Sequence, residues 1–128
     1  MTDPLEAADT KYPLADKIVD GLHVRDHVPN TDSIDGYFDE YEELRGVRVV
    51  SMSEFGGPRS VFYAADDFAR SERLAAAITE SEEINPLIIG VEAKGPFIIE
   101  GAHRFVALYN LNKKQFPAVI VVNLEEDQ

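Results

Sequence analysis

Residues 84–111, INPLIIGVEAKGPFIIEGAHRFVALYNL, constrain the fold of this chain more than any other stretch. Two apolar runs of strand length flank the sequence AKGP, which is typical of a tight turn, so the pattern predicts a β-hairpin. The second run ends at Gly101, and the following residues change at once to a helical period, with Phe105, Leu108 and Leu111 on one face. This pattern predicts strands and helices that share one core.

The same alternation continues through the rest of the region from Val47 onward. VRVVSM and FPAVIVVNL predict strands, and SEFGGPRS predicts a loop because Gly-Gly-Pro continues neither a strand nor a helix. DDFARSERLAAAITES predicts a helix with a buried stripe formed by Phe68, Leu74, Ala77, Ile78 and Ser81. The order of elements predicts an α+β domain in which helices cover a small mixed β-sheet.

The first 46 residues have a weaker pattern. Residues 1–20 contain Pro4, Pro13 and scattered acids without a period, which predicts an extended or partly disordered arm. SIDGYFDEYEEL has aromatic and aliphatic residues at a spacing of three to four, which predicts an amphipathic helix that ends at Gly46. We therefore expect an acidic N-terminal arm and helix over residues 1–46, followed by a folded domain over residues 47–128.

Composition excludes several classes of function. The chain has 24 acidic and 12 basic residues and a formal net charge of -12, which disfavours binding to the phosphates of DNA. It has no cysteine, which excludes disulfides, thiolate catalysis and cysteine metal sites. A membrane helix needs about 20 consecutive apolar residues, and the chain has neither such a run nor a secretory leader pattern. We expect a cytoplasmic protein with no membrane partner.

The turn from Gly101 to Arg104 has the residues of an anion site. The first N–H groups of a helix lack intrahelical partners, so those of Ala102 and His103 can point at a ligand, and Gly101 allows a close approach. Arg104 adds a planar guanidinium suited to phosphate, and His103 adds a hydrogen bond or a proton. Cations in the first turn oppose the helix dipole, so their presence indicates a compensating anion. A structurally neutral, exposed pair of side chains is the alternative interpretation.

The segment from Val47 to Val122 resembles the ParB/sulfiredoxin-like superfamily. Its members share a strand, a loop, a helix, an I-x-P-L-I-V strand, a G-x-[HR]-R turn from strand to helix, and a closing P-x-x-V-V strand. The corresponding elements here are, in chain order, VRVVSMSEF, GGPRS, RLAAAITES, INPLIIGVEAKGPFIIEGAHRFVAL and FPAVIVV.

The resemblance implies a ParB-like N-terminal nucleotide-binding domain that holds the phosphates of ATP or CTP together with Mg²⁺. Gly101, His103 and Arg104 match the phosphate-binding turn, and Arg59 matches the Pro-Arg pair of the loop that closes over the phosphates. We expect Mg²⁺-dependent hydrolysis or transfer of a phosphate as the chemistry. His103 and Arg104 would stabilise the developing charge, and Glu54 or Glu100 would handle the metal or the proton.

The sequence also departs from the superfamily pattern. Sulfiredoxins have a cysteine where this chain has Ala102, so sulfinic acid reduction is excluded. Chromosome-partitioning ParB proteins have Gly-Glu-Arg-Arg at the turn, where this chain has Gly-Ala-His-Arg. Two alternatives stay open. One is a non-enzymatic inhibitor or interaction protein whose acidic N-terminal segment binds a basic or nucleic-acid-binding partner. The other is a ParB-like nuclease, which the net charge disfavours.

Overall fold

The computed structural model describes residues 3–25, 41–55 and 65–124. The helices are α1 (Pro4–Lys11), α2 (Ala65–Ser81) and α3 (Ala102–Asn110), and Met52–Glu54 form a 3₁₀ turn. The strands are β1 (Ile18–Val19), β2 (Leu22–Val24), β3 (Tyr41–Glu43), β4 (Arg48–Ser51), β5 (Glu83–Ile84), β6 (Leu87–Glu92), β7 (Gly95–Glu100) and β8 (Gln115–Asn123). None of the described helices is both long and apolar enough to cross a membrane.

The larger sheet is mixed and is organised around β8. One edge of β8 pairs antiparallel with β4 along its first half and with β3 along its second half. The other edge pairs in parallel with β6, which forms an antiparallel hairpin with β7. A smaller sheet has the strand order β1-β2-β5. The predicted α+β class with a small mixed sheet is therefore confirmed.

The main core lies between one face of the larger sheet and the helices. Four consecutive residues of α3, Phe105, Val106, Ala107 and Leu108, are 0% exposed. The Phe105 ring meets the Phe116 ring of β8 edge to face, with centroids 6.2 Å apart, and meets the Phe55 ring at 5.3 Å. Such aromatic pairs contribute about 0.5–1.5 kcal/mol each beyond the area they bury. The aromatic cluster therefore fixes α3 against the sheet.

From Val47 onward, the described helices and strands occur where the sequence predicts them. Strands occur at VRVVSM, at both arms of the hairpin and at FPAVIVVNL, and helices occur at the two predicted places. The predicted buried stripe of α2 is wrong in part, because Ala77 and Ser81 are exposed and Ser71 is 0% exposed. Ser71 is compatible with burial because its hydroxyl donates to the Asp67 carbonyl at 3.0 Å.

The prediction of an extended or disordered arm over residues 1–20 is wrong for the described part. Asp3 caps α1 by accepting the Leu5 N–H at 2.9 Å, and proline occupies the first turn, where its missing N–H carries no penalty. Ala8 and Tyr12 are buried in the same core as α3. A short helix of this kind is marginal alone, so its contacts with the core stabilise it.

The amphipathic helix predicted for SIDGYFDEYEEL is wrong at its C-terminal end. Tyr41–Glu43 form β3, paired with Asn123, Val122 and Val121 of β8, while residues 33–40 lie outside the described part. Tyr41 packs on the opposite face of the sheet from the main core, beside Ile88 and Val121. Pairing with an open edge of β8 thus outweighs the local helical period.

Arg48 is a buried cation, 5% exposed, that joins α1 to β4. Its guanidinium contacts the Asp9 carboxylate at 2.6 Å and donates to the carbonyl oxygens of Tyr12 at 3.0 Å and of Arg45 at 2.8 Å. A buried charge is tolerated when it is paired and its donors are satisfied. Arg48 therefore holds the N-terminal helix against the sheet.

We expect Arg48→Met to lower the free energy of unfolding by about 2–3 kcal/mol, because the buried carbonyl of Tyr12 and the part-buried carbonyl of Arg45 lose their donors. The matched control is Arg45→Met, which removes the same charge from an exposed side chain and should change stability by less than about 0.5 kcal/mol. Urea unfolding followed by circular dichroism measures both. Equal losses in the two variants would contradict this account of Arg48.

Candidate anion-binding site

The turn between β7 and α3 depends on the backbone of Gly101. Gly101 is the N-cap of α3 with φ of 106° and ψ of 23°, a conformation that strongly favours glycine. Its carbonyl accepts the Phe105 N–H at 2.8 Å, which is the first helical bond of α3. Because glycine has no side chain, the cap residue offers no acceptor to the N–H groups of the first turn. The helix therefore begins with donors suited to an anion.

Close packing at this turn also requires glycine. A Cβ atom added to Gly101 would lie 2.6 Å from Cγ of Leu87, which is 0% exposed. The same Cβ would lie 3.1 Å from Nη2 of Arg104. The guanidinium of Arg104 thus lies beside the bare backbone of Gly101.

Arg104 is half-buried and is held by main-chain carbonyls. Its Nη1 donates to the carbonyl oxygens of Asn85 at 3.2 Å and of Pro86 at 3.0 Å. Burial lowers the pKa of Arg104, and the nearby Glu100 carboxylate opposes this effect without forming an ion pair. Among the described residues, Arg104 has no salt-bridge partner, and Nη2 has no hydrogen-bond acceptor. A partly desolvated guanidinium with spare donors favours an incoming anion.

His103 connects the first turn of α3 to α2. Its Nε2 lies 3.0 Å from Oδ1 of Asp67, and the two side chains are 31% and 34% exposed. An ionised carboxylate can only accept, so the ring nitrogen that faces Asp67 carries the hydrogen. Asp67 therefore orients the imidazole at the edge of the turn.

Glu54 and Glu100, which the sequence suggested for handling a metal or a proton, lie on different elements of the structure. Glu100 is exposed at the end of β7, directly before Gly101. Glu54 lies on the 3₁₀ turn and is bound to α1, where it accepts from the Tyr12 hydroxyl at 3.1 Å and pairs with Lys11 at 2.5 Å. These contacts also change pKa values. The hydrogen bond to Glu54 raises the pKa of Lys11. Burial is the main cause that raises the pKa of Tyr12, and the negative charge of Glu54 raises it further.

The described site therefore consists of Glu100, Gly101, Ala102, His103 and Arg104. Ala102 is half-buried, and its side chain packs against the core, which leaves only its backbone to face a ligand. Arg59 lies outside the described residues. Sequence reasoning missed Asp67, the carbonyls that hold Arg104, and Leu87. Asp67 was visible only as one of two acids at the start of a helix.

We expect Gly101→Ala to destabilise the fold more than Gly95→Ala does. Both glycines have φ above 100°, so both variants should lose about 1–3 kcal/mol through backbone strain. A Cβ at Gly95 would meet nothing within 4 Å, whereas one at Gly101 overlaps Leu87, which adds about 1–3 kcal/mol. Chemical denaturation measures the difference, and equal losses would show that the Leu87 contact does not constrain the turn.

The chain was compared with known proteins. No family model and none of the curated proteins matches it. Among solved structures, it is similar to that of a Pnob8-like ParB-N domain, with 18% sequence identity and a TM-score of 0.43. The similarity covers 66% of this chain and 31% of that chain, so the chain spans less than half the length of the protein it matches.

Proposed function

We propose that this protein binds a nucleoside triphosphate, with the phosphates at the turn formed by residues 101–104. The observation that carries this proposal is the half-buried Arg104, which lies against the bare backbone of Gly101 and has no carboxylate in contact with it among the described residues. The helix N-terminus favours negative charge at the same point. The resemblance of the G-x-H-R turn to the ParB/sulfiredoxin-like pattern supports a nucleotide as the source of the phosphate.

The charges around the turn favour an anion in spite of the acidic chain. Arg104 supplies one full positive charge, and His103 supplies a second when it is protonated. Asp67 and Glu100 oppose them, but Asp67 is turned towards His103, and Glu100 is exposed to solvent, where its field is screened. The positive charge of Arg104 therefore affects an anion at the turn more strongly than the carboxylates of Asp67 and Glu100 do.

The residues also fit a nucleotide that arrives with Mg²⁺. Mg²⁺ is commonly held by substrate phosphates, water and one or two carboxylates, without a dedicated protein cage. No group of three or more His, Asp or Glu side chains that could hold a metal occurs among residues 3–25, 41–55 and 65–124. Glu100 is the carboxylate closest in sequence to the turn. Bound Mg²⁺ would neutralise phosphate charge and polarise the reacting oxygen.

We also propose that the protein hydrolyses the bound nucleotide or transfers a phosphate from it. His103 and Arg104 would hold the phosphate oxygens as charge develops, and Glu100 would accept a proton. Glu54 fits this chemistry less well, because its carboxylate is bonded to Lys11 and Tyr12. We therefore assign catalysis to Glu100 and His103.

We expect Arg104→Gln to weaken nucleotide binding about tenfold or more, since a charge-assisted hydrogen bond contributes about 1.5–3 kcal/mol. Glutamine retains an N–H donor for the carbonyls of Asn85 or Pro86, which limits the loss of stability. Isothermal titration of ATP, CTP and GTP with Mg²⁺ measures the affinities.

The matched control is Arg45→Gln, which makes the same change of charge at an exposed position on the turn between β3 and β4 and should bind like the wild type. A thermal melt of each variant with and without nucleotide separates lost binding from lost folding. If the wild type binds none of the three nucleotides, the proposed function is wrong.

A further inference from the structure

A second basic surface lies next to the turn, on α2. A cleft of about 390 Å³ opens between α2 and the start of α3, and Arg70, Arg73, Leu74, Ala77 and His103 line it. Small-molecule sites commonly have volumes of about 300–1,000 Å³, so the cleft has room for several atoms beyond a single ion. His103 belongs to both the cleft and the turn, so the two regions are continuous.

The two arginines of this cleft are unusual in a chain with a net charge of -12. Arg70 and Arg73 are exposed, and neither forms a hydrogen bond or an ion pair with any described residue. They are three positions apart on one helix, where like charges repel by a few tenths of a kcal/mol. The nearest acid that faces His103 is Asp67, and its Oδ1 is already bonded to the imidazole. The cleft therefore presents two guanidinium groups that form no ion pair with the described residues, with Asp66 and Asp67 one helical turn away from Arg70.

Both surfaces suit one ligand that has several anionic groups in a row. The backbone of Gly101 and the guanidinium of Arg104 provide donors at the turn, while Arg70 and Arg73 provide two more planar donors beyond His103. A single phosphate would occupy only one of these regions. A polyphosphate chain can contact both, with His103 between them.

We infer that Arg70 and Arg73 bind the distal phosphates of the nucleotide and so make the site selective for triphosphates over monophosphates. This inference rests on the proposed function and refines it: the turn holds the phosphate nearest the nucleoside, and the cleft holds the phosphates beyond it. The arginines act through direct contact with phosphate oxygens, and no bond is made or broken at them.

The test compares one nucleotide in two phosphorylation states. Affinities for the triphosphate that binds the wild type, and for its monophosphate, are measured by titration and displacement for the wild type and for Arg70→Gln/Arg73→Gln. We expect the double variant to lose about tenfold or more in triphosphate affinity, through lost charge-assisted contacts, and to keep its monophosphate affinity. Both side chains are exposed, so the melting temperature without ligand should stay close to that of the wild type.

One control variant and the wild type make the outcomes distinct. Arg45→Gln removes a positive charge away from α2 and should leave the ratio of the two affinities unchanged. If the double variant retains its triphosphate affinity, or loses both affinities equally, the inference is wrong while the proposed function stands. If the wild type binds neither nucleotide, both are wrong.

Discussion

The parallel pairing of β6 with β8 is the constraint on which the rest of this structure depends. Parallel neighbours cannot be joined by a tight turn, so the chain between them must leave the sheet and cross it. Here β7 first extends the sheet beyond β6, and α3 then carries the chain back across to β8. Phe105 and Leu108 are fully buried, so one face of α3 packs against the sheet. The reversal is confined to Gly101, which explains both its positive φ and its contact with Leu87.

This geometry places the candidate site at the point where the crossing begins. The first turn of α3 lies over the link between β5 and β6, whose carbonyls hold Arg104. The same turn lies beside α2, whose Asp67 holds His103. Two side chains that are adjacent in sequence are thus oriented by two different elements. The elements that form the core therefore also position the donors of the site.

Elements with strong local signals could be predicted from the sequence. The hairpin was evident because AKGP separates two β-branched runs, and the turn at Gly101 was evident because the apolar period changes there. The contacts of Arg104 could not be predicted, since Asn85 and Pro86 are 19 and 18 positions away and accept only through backbone carbonyls, which every residue has. Likewise, DDFAR does not reveal which aspartate faces His103.

The N-terminal region shows why a weak local pattern misleads. Tyr41 was expected on a helix because of its spacing from Tyr37 and Leu44, yet an unpaired edge of β8 offers hydrogen bonds that local periodicity cannot reveal. Residues 1–20 have no apolar period, but Tyr12 is 1% exposed and Arg48 binds its carbonyl. Removing the acidic first 46 residues would therefore remove part of the core.

The place of β8 has a consequence for how the protein assembles during synthesis. β8 pairs with β3, β4 and β6, and all three precede it in the chain. A ribosome must therefore make the chain up to Asn123 before the strand that joins these three is available. Until then β4 and β6 have no common partner, and their apolar residues, such as Val50 and Ile89, stay open to other chains. The described fold therefore cannot be completed before its central strand has been synthesised.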